Sequence, residues 1–358
     1  MSSLVKPLQP VPDTMAPSRT LSTRRDVPDV VDAAIRRLLE RFGTLAGLPA
    51  AEAGTRGVRG VESVAVRERL TRFTAEIFAS LARADQRAKA ELYLRGLLLE
   101  GGRKSMLPMA RCLGVDHQVL QHFVTSSTWK LSPVRARLAR RAVQLLQPLA
   151  WAVGDVALPK DGADSPCVAR QYTDHLKRVT NCQVGVGVHL VGDTAAAANW
   201  RLFVPSEWDA TGGSSPGDII WRRRRCRVPS TERHRPKWML AVEMLDELVG
   251  WGLRPPVVVA GAGYGEHTGF RAALDRRGLP YLVRAGGEVV SGAVIRPQEI
   301  RRRMELGGRE LIERFGLGHF EGRSWIGWNR HVTLASAAQL FSTSERLRET
   351  EGRDRETA

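Results

Sequence analysis

The chain has 358 residues, with 54 lysines and arginines against 38 aspartates and glutamates, which gives a formal net charge of +16. An apolar content of 43% suffices for a folded core and excludes a wholly disordered chain. No apolar run reaches the ~18–20 residues of a membrane span, no signal-peptide core is visible, and four scattered cysteines exclude a disulfide scaffold, so we expect a cytoplasmic protein without a membrane partner.

Helical periodicity follows an aperiodic first segment. Residues 1–27 are rich in proline, serine, threonine and arginine, which predicts a disordered arm. Residues 28–148 repeat apolar residues at helical spacing and form a predicted helical domain. The helices predicted within it are 30–48, 64–88, 106–113, 116–124 and 131–149.

Two of these helices resemble a helix-turn-helix pair. Gly114 is placed to end the first helix, and Asp116 is placed to cap the second. In DNA-binding pairs of this kind the second helix lies in the major groove, so His117, Gln118 and Gln121 are candidate DNA contacts. Such pairs are also common in helical bundles, and a packing role stays open.

From residue 149 the pattern changes to that of an α/β domain. Strands are predicted at 148–158, 167–173, 181–191, 199–205, 255–265 and 281–286, and helices at 238–249, 268–278, 297–313 and 328–341. The first strands in succession predict an antiparallel meander, and residues 221–238 predict a basic surface stretch. The domain is expected to span 149–342, and the charged residues 343–358 to form a frayed tail.

Several strings in this order closely resemble bacterial insertion-sequence transposases of the DDE type. They are GGRKSMLPMARCLGVDHQVLQHFVTSSTW, SPCVARQYT, NCQVGVGVHL, WRLFVPSEWD, AGYGEHTGFRAALDRRGLPYLV and GLGHFEGRSWIGWNRHVTL. The resemblance covers about residues 90–342. It implies an α/β fold in which helices flank an RNase H-like mixed sheet, preceded by the α-helical domain.

In the family that these strings resemble, three carboxylates hold two divalent metal ions for displacement at phosphorus. The matching positions here are Gly154, Gly261 and Arg314. None of these residues supplies the oxygen ligands that Mg²⁺ prefers. Asp155 and Glu313 each lie one residue from a matching position, but such a shift turns a strand side chain to the opposite face and rotates a helix side chain by about 100°. Glu266 lies further along its loop. The resemblance therefore implies a transposase-like protein without a bound metal and without DNA cleavage.

The altered pocket suggests a metal-independent and cofactor-free enzyme for a small anionic metabolite in biosynthesis. Arg314 and Lys160 would stabilise a sulfate or phosphate leaving group in an elimination or ring-forming displacement. His267 is a candidate acid or base beside Asp155 and Glu266. The candidate anion-binding residues are Lys160, Arg170, Tyr172 and Arg323. Alternatively, Arg314 extends into solvent, His267 is incidental, and Arg170 with Tyr172 is a packing pair.

The alternative function is a nuclease-dead DNA-binding protein. It would use the helix-turn-helix-like pair and the arginine run Arg222, Arg223, Arg224 and Arg225. A strongly basic chain favours polyanions, although an arginine-rich composition also fits a GC-rich coding sequence. Replacement of all three acids favours the enzyme narrowly, and either protein is compatible with a homo-oligomer or a partner subunit. A decayed remnant is disfavoured because the core pattern is intact.

Overall fold

The structure, a computed structural model, describes residues 64–173, 177–209, 215–285, 288–290 and 296–356. The predicted arm and the predicted helix at 30–48 lie outside these residues. None of the helices within them combines the length and the apolar content that a membrane span requires.

The helices that precede the sheet in the described part are α1 (Val64–Ile77), α2 (Ala84–Leu98), α3 (Met106–Leu113), α4 (His117–Thr125) and α5 (Leu131–Leu146). The single helix predicted over 64–88 is therefore two helices. The turn between α1 and α2 carries Phe78 and Leu81, and both side chains are buried in the core. The backbone N–H of Leu81 donates to the carbonyl of Phe78 at 2.9 Å and closes this turn.

The predicted caps of α3 and α4 are confirmed. Gly114 ends α3 with a φ of 67°, a left-handed conformation that glycine adopts without steric strain. The Asp116 carboxylate accepts a hydrogen bond from the backbone N–H of Gln118 at 2.8 Å and so begins α4. These two residues fix the angle between the helices of the pair.

Seven strands in the described part of the chain form one mixed sheet. They are β1 (Ala150–Pro159), β2 (Ala169–Thr173), β3 (Arg178–Val191), β4 (Ala195–Leu202), β5 (Val258–Ala260), β6 (Tyr281–Ala285) and β7 (Glu288–Val290). β3 pairs antiparallel with β1 along one edge and with β2 and β4 along the other. β5 is parallel to β1 and to β6, and β7 returns antiparallel. The meander followed by parallel strands confirms the RNase H-like fold.

The remaining described helices are α6 (Pro216–Arg225), α7 (Lys237–Gly250), α8 (Ala262–Gly265), α9 (Thr268–Arg276), α10 (Pro297–Glu313) and α11 (Trp325–Glu356). Alternation along β1 separates the two faces of the sheet. Trp151 and Val153 pack in the large core that contains α7 and α11. Ala150 and Ala152 pack on the opposite face with Ile300 of α10, where small side chains let the helix approach the sheet.

The end of α11 corrects the expected frayed tail, because the helix continues through Glu356. The Arg69 guanidinium of α1 donates to the Glu345 carboxylate, with Nε 2.9 Å from Oε1. The Arg346 guanidinium pairs in turn with the Glu310 carboxylate of α10. A charged segment was expected to fray because its ion-pair partners lie far away in the sequence.

A buried arginine joins the helical part to the sheet. Arg135 of α5 donates to the Thr333 hydroxyl at 2.9 Å, to the Trp200 carbonyl at 2.9 Å and to the Asn329 side chain at 3.1 Å. Burial lowers the pKa of this guanidinium to about 9. Helices α1 to α5 share one apolar core with the sheet, and the boundary predicted between 148 and 149 stays a prediction.

Candidate functional site

Two of the three predicted acid positions are neighbours at the ends of parallel strands. The register pairs Val153 of β1 with Ala260 of β5, so the next residues, Gly154 and Gly261, lie side by side. Gly261 also precedes the first turn of α8. The sheet therefore brings these two glycines together as the resemblance implies.

Helix α10 fills the space above both glycines. A Cβ atom on Gly154 would lie 2.9 Å from Met304 Cε, and one on Gly261 would lie 3.6 Å from the guanidinium carbon of Arg301. The same guanidinium lies 3.7 Å from the Glu305 carboxylate, one turn along α10. A thioether and a cation thus occupy the region where side chains at 154 and 261 would extend.

The third predicted position does not join the glycines. Arg314 follows the last residue of α10, ten residues beyond Met304, which corresponds to about 15 Å along the helix axis. Its side chain is 51% exposed, lies 3.5 Å from Glu310 Oε1 and stacks on the ring of Phe315. The geometry therefore does not place Arg314 as an anion anchor beside the glycines.

On α10, Glu305 directly follows Met304 and lies one turn beyond Arg301, the two residues that approach the glycines. Sequence reasoning missed it because it positioned the third residue from the string GLGHFEGR alone. The helical spacing of Arg301, Met304 and Glu305 was the available signal, since residues three and four apart share a face. This spacing identifies Glu305 only when the face of α10 that contacts β1 is known.

The residues at these strand ends do not fit a pair of divalent metal ions. Mg²⁺ prefers carboxylate and other oxygen ligands, and the two glycines bring only backbone. The Arg301 guanidinium adds a fixed positive charge where a metal ion would need negative ligands. Within the described ranges, no group of three or more His, Cys, Asp or Glu side chains is arranged to hold a metal.

Asp155 belongs to a separate cluster on the opposite face of β1. Its Oδ2 lies 2.6 Å from Lys237 Nζ, and its Oδ1 accepts a hydrogen bond from the Tyr264 hydroxyl at 3.1 Å. Burial, followed by the charge of Asp155, raises the pKa of Tyr264. The carboxylate is thus held by a cation and a phenol, and it faces away from Arg301.

Glu266 and His267 lie in the exposed turn between α8 and α9. The His267 ring packs near Trp238, with 6.4 Å between ring centroids. His267 begins α9 through its backbone conformation and makes no side-chain capping bond. These two predicted catalytic residues are close to the Asp155 cluster in the chain fold, yet each faces solvent.

The predicted anion-binding residues lie elsewhere. Lys160 is six residues beyond Gly154, about 20 Å along an extended strand. Its ammonium donates to the carbonyls of Gly318 and Phe320, both at 2.9 Å, and burial lowers its pKa to about 8. Arg170 and Tyr172 are exposed on β2. Lys160 therefore fastens a loop to the end of β1 rather than facing a ligand.

The polar face of α4 and several arginines line an open cleft of about 490 Å³. We call it the α4 cleft. Its lining residues are Met106, Leu107, His117, Gln121, Thr125, Ser126, Arg225, Arg227, Glu321, Gly322, Arg323 and Ser324. The helix-turn-helix-like pair and Arg225 of the arginine run, which the sequence predicts together as DNA contacts, therefore line one surface.

Helix α4 presents a polar stripe to the cleft and an apolar stripe to the core. His117, Gln121 and Thr125 are spaced at four residues and line the cleft. Leu120 and Phe123 are fully buried on the other side. The Gln118 side chain is exposed beside the polar stripe. Sequence reasoning found this stripe except for Thr125, which continues the same four-residue spacing.

The opposite wall of the cleft holds two arginines on one carboxylate. Asp164 Oδ2 lies 3.1 Å from Arg225 Nη2 and 3.1 Å from Arg323 Nη1. One negative charge between two guanidinium groups leaves an excess of positive charge on this wall. Arg323 is thereby placed with the DNA-binding candidates and not with the glycines.

The arginine run, predicted as part of a basic surface stretch, forms the last turn of helix α6. Arg223 is buried, and it donates to the carbonyls of Trp208 and Pro229, both at 2.8 Å. Arg222 stacks on the Trp208 ring at 4.3 Å. Arg223 is therefore a structural residue and not an available DNA contact. Arg224 and Arg225 remain exposed.

The RNase H-like sheet, with candidate positions at the ends of its parallel strands, defines a nuclease-type domain. The chain matches the family described as DDE superfamily endonuclease over residues 76–311. The match covers well over half of the chain, so the protein belongs to this family. No curated protein is detectably similar to the chain.

Proposed function

We propose that this protein binds double-stranded DNA through the α4 cleft and does not cleave it. The observation that carries the proposal is the cleft itself, where the polar stripe of α4 and the arginines Arg225, Arg227 and Arg323 line one open surface. The major groove of B-DNA admits an α-helix, and glutamine and arginine side chains read base edges. The net charge of +16 supports a polyanionic partner.

Absence of cleavage is supported by the strand ends. Gly154 and Gly261 supply no carboxylate, and Arg301 and Met304 fill the space above them. A two-metal nuclease site requires hard oxygen ligands that converge on both ions. We therefore infer that the acidic triad of the family is lost, and that binding persists without it.

The small-anion enzyme has less support from the described residues. It requires Arg314 and Lys160 to meet at one anion, whereas Arg314 is half-exposed beside Glu310 and Lys160 donates to two carbonyls. It stays a prediction, which calorimetry with sulfate on Arg314→Ala tests.

Binding of the full chain to a duplex, measured by fluorescence anisotropy over a range of salt concentrations, tests the proposal. The double variant Arg225→Ala/Arg323→Ala should weaken binding at least ~10-fold and lower the salt slope by roughly two, because two phosphate contacts are lost. Gln121→Ala should reduce selectivity among sequences and leave the salt slope unchanged.

Arg302→Ala provides the matched control. Its side chain is 75% exposed on α10 and does not line the cleft, so the variant removes a positive charge outside the proposed surface. We expect an affinity change below about 2-fold. An equal loss of affinity in the control and in the double variant would show that binding depends only on the overall positive charge, which would contradict a specific role of the cleft. Absence of binding at low salt, or metal-dependent nicking by the wild type, would contradict the proposal.

A further inference from the structure

Helix α6 carries the most exposed tryptophan of the chain. Trp221 is 59% exposed and its neighbour Ile220 is 50% exposed, whereas Ile219 is buried at 3%. Every other tryptophan of the chain is buried or half-buried. Large apolar side chains that remain exposed next to each other mark binding surfaces more often than isolated ones do.

The Trp221 ring lies at the rim of the α4 cleft. The Arg225 guanidinium carbon is 5.0 Å from the centroid of the ring, and Arg225 itself lines the cleft. A guanidinium that stacks on an indole holds the ring in one orientation, with the other ring face available to a ligand. A nucleic acid in the cleft would therefore pass within reach of this ring.

We propose that Trp221 stacks on an unpaired base of DNA bound in the α4 cleft, so that the protein prefers duplexes with a locally open or single-stranded segment. The inference rests on the proposed function. Every base offers a π-face to an aromatic side chain, and the arginines beside the ring neutralise the adjacent phosphates. Stacking needs an unpaired base because paired bases in a duplex already stack on each other.

Charge complementarity favours DNA over other occupants of this surface. Beside Trp221, α6 and the residues after it present the exposed cations Arg224, Arg225 and Arg227, against Asp218 on the helix and Asp164, which pairs with Arg225. A second copy of the chain would place this cationic helix against itself, because a two-fold interface pairs identical patches. An anionic backbone compensates the same charges.

The test compares three DNA probes with the full chain: a duplex, the same duplex with a short central mismatch bubble, and an oligothymidine single strand. Trp221→Ala should weaken binding to the bubble and to the single strand about 5- to 50-fold, and binding to the intact duplex less than about 2-fold. Trp221→Phe keeps an aromatic ring and should retain most of the affinity.

Tryptophan fluorescence gives an independent readout. The single strand should quench the emission of the wild type and of Trp251→Phe, a matched control at the end of α7, but not that of Trp221→Phe. Near-equal losses on all three probes, or quenching that persists in Trp221→Phe, would overturn the inference. Quenching by phosphatidylserine vesicles but not by DNA would assign the surface to lipid and also overturn it.

The two proposals fail separately. If the wild type binds the duplex through Arg225 and Arg323 but shows no preference for the bubble, the inference fails and the proposed function stands. If the single strand binds through Trp221 while the duplex does not bind, the proposed duplex function fails and the stacking site stands.

Discussion

The strand ends at Gly154 and Gly261 and the α4 cleft belong to one folded unit, but they differ in the side chains that they present. At the strand ends two glycines lie side by side, and α10 fills the space above them. In the cleft, polar and charged side chains remain exposed around an open volume. A metal site requires clustered like charges, which destabilise the fold without the ion. Solvated arginines carry no such penalty.

This difference explains why binding outlasts cleavage in the proposed function. Under this proposal, loss of two convergent carboxylates would relieve repulsion at the strand ends, where Met304 and Arg301 fill the space. Loss of the cleft arginines would relieve little, because Asp164 already compensates two of them. The two regions therefore differ in how much charge repulsion the fold would lose when their charged side chains are replaced.

The largest expected effect is a loss of folding stability at acidic pH. It tests two buried histidines, one near each region. His331, behind the loop that leads to the cleft, hydrogen-bonds to the Tyr93 hydroxyl and the Gly316 carbonyl, both at 2.9 Å. His189 lies on β3 beside Trp200, near the strand ends. Burial is the main cause that lowers the pKa of each imidazole to about 4, from an ordinary value of 6.5.

A lowered pKa keeps both rings neutral in the fold while the unfolded chain takes up protons. Their contribution to stability is therefore complete above about pH 6.5 and is lost progressively as the pH falls towards 4. Between about pH 7.5 and pH 5 each histidine should remove about 2 kcal/mol from the free energy of unfolding. Urea titrations at the two pH values measure this loss.

Single substitutions separate the two regions. His331→Asn and His189→Asn are each expected to be less stable than the wild type near neutral pH, because a buried ring is lost. Each should also lose about half of the pH-dependent decrease, since one titrating group is gone. An unchanged decrease in either variant would show that the corresponding histidine is already charged or exposed in the fold.

A smaller effect is expected from placing acids at the strand ends. Gly154→Asp forces a carboxylate against Met304 and should lower the free energy of unfolding by about 1–3 kcal/mol. Gly261→Asp meets the Arg301 guanidinium at van der Waals distance and should change it by less than about 1 kcal/mol. Urea midpoints of the two variants measure this contrast.

Metal binding sharpens the same comparison. Mn²⁺ should not stabilise the double variant Gly154→Asp/Gly261→Asp, because the Arg301 cation remains in place. With Arg301→Ala added, the two new acids and Glu305 lack this cation, and Mn²⁺ should raise the melting temperature. A metal-dependent rise already in the wild type would contradict the description of the site.

Much of this fold follows from local sequence signals. Gly114 and Asp116 predict the turn between α3 and α4, because one adopts a left-handed conformation and the other caps a helix with its own side chain. The bounds of α10 are predicted as Pro297–Glu313 and found unchanged. The resemblance places Gly154 and Gly261 at corresponding positions, and the register of the parallel strands β1 and β5 sets them side by side.

The errors concern partners that are distant in the sequence. The end of α11 is helical because Glu345 and Arg346 meet Arg69 and Glu310, a contact that no local pattern contains. Arg223 is buried because carbonyls of a neighbouring turn accept its hydrogen bonds. Charge alone predicts exposure for such residues, and only the packing shows which arginine of a run turns inward.

The smallest expected effect is at Arg314, and it decides between the strand ends and the cleft as the functional region. The side chain is 51% exposed, with one ion-pair contact at 3.5 Å to Glu310, so Arg314→Ala should change the free energy of unfolding by less than about 0.5 kcal/mol.

An anion anchor at the strand ends would instead show saturable sulfate binding that this variant abolishes. Calorimetry with sulfate on the wild type, on Arg314→Ala and on Arg302→Ala measures both. Because Arg314 lies about 15 Å along α10 from Met304, we expect the three proteins to bind sulfate equally weakly. Selective loss of sulfate binding in Arg314→Ala would restore the small-anion enzyme as the leading function and leave the α4 cleft as a basic surface.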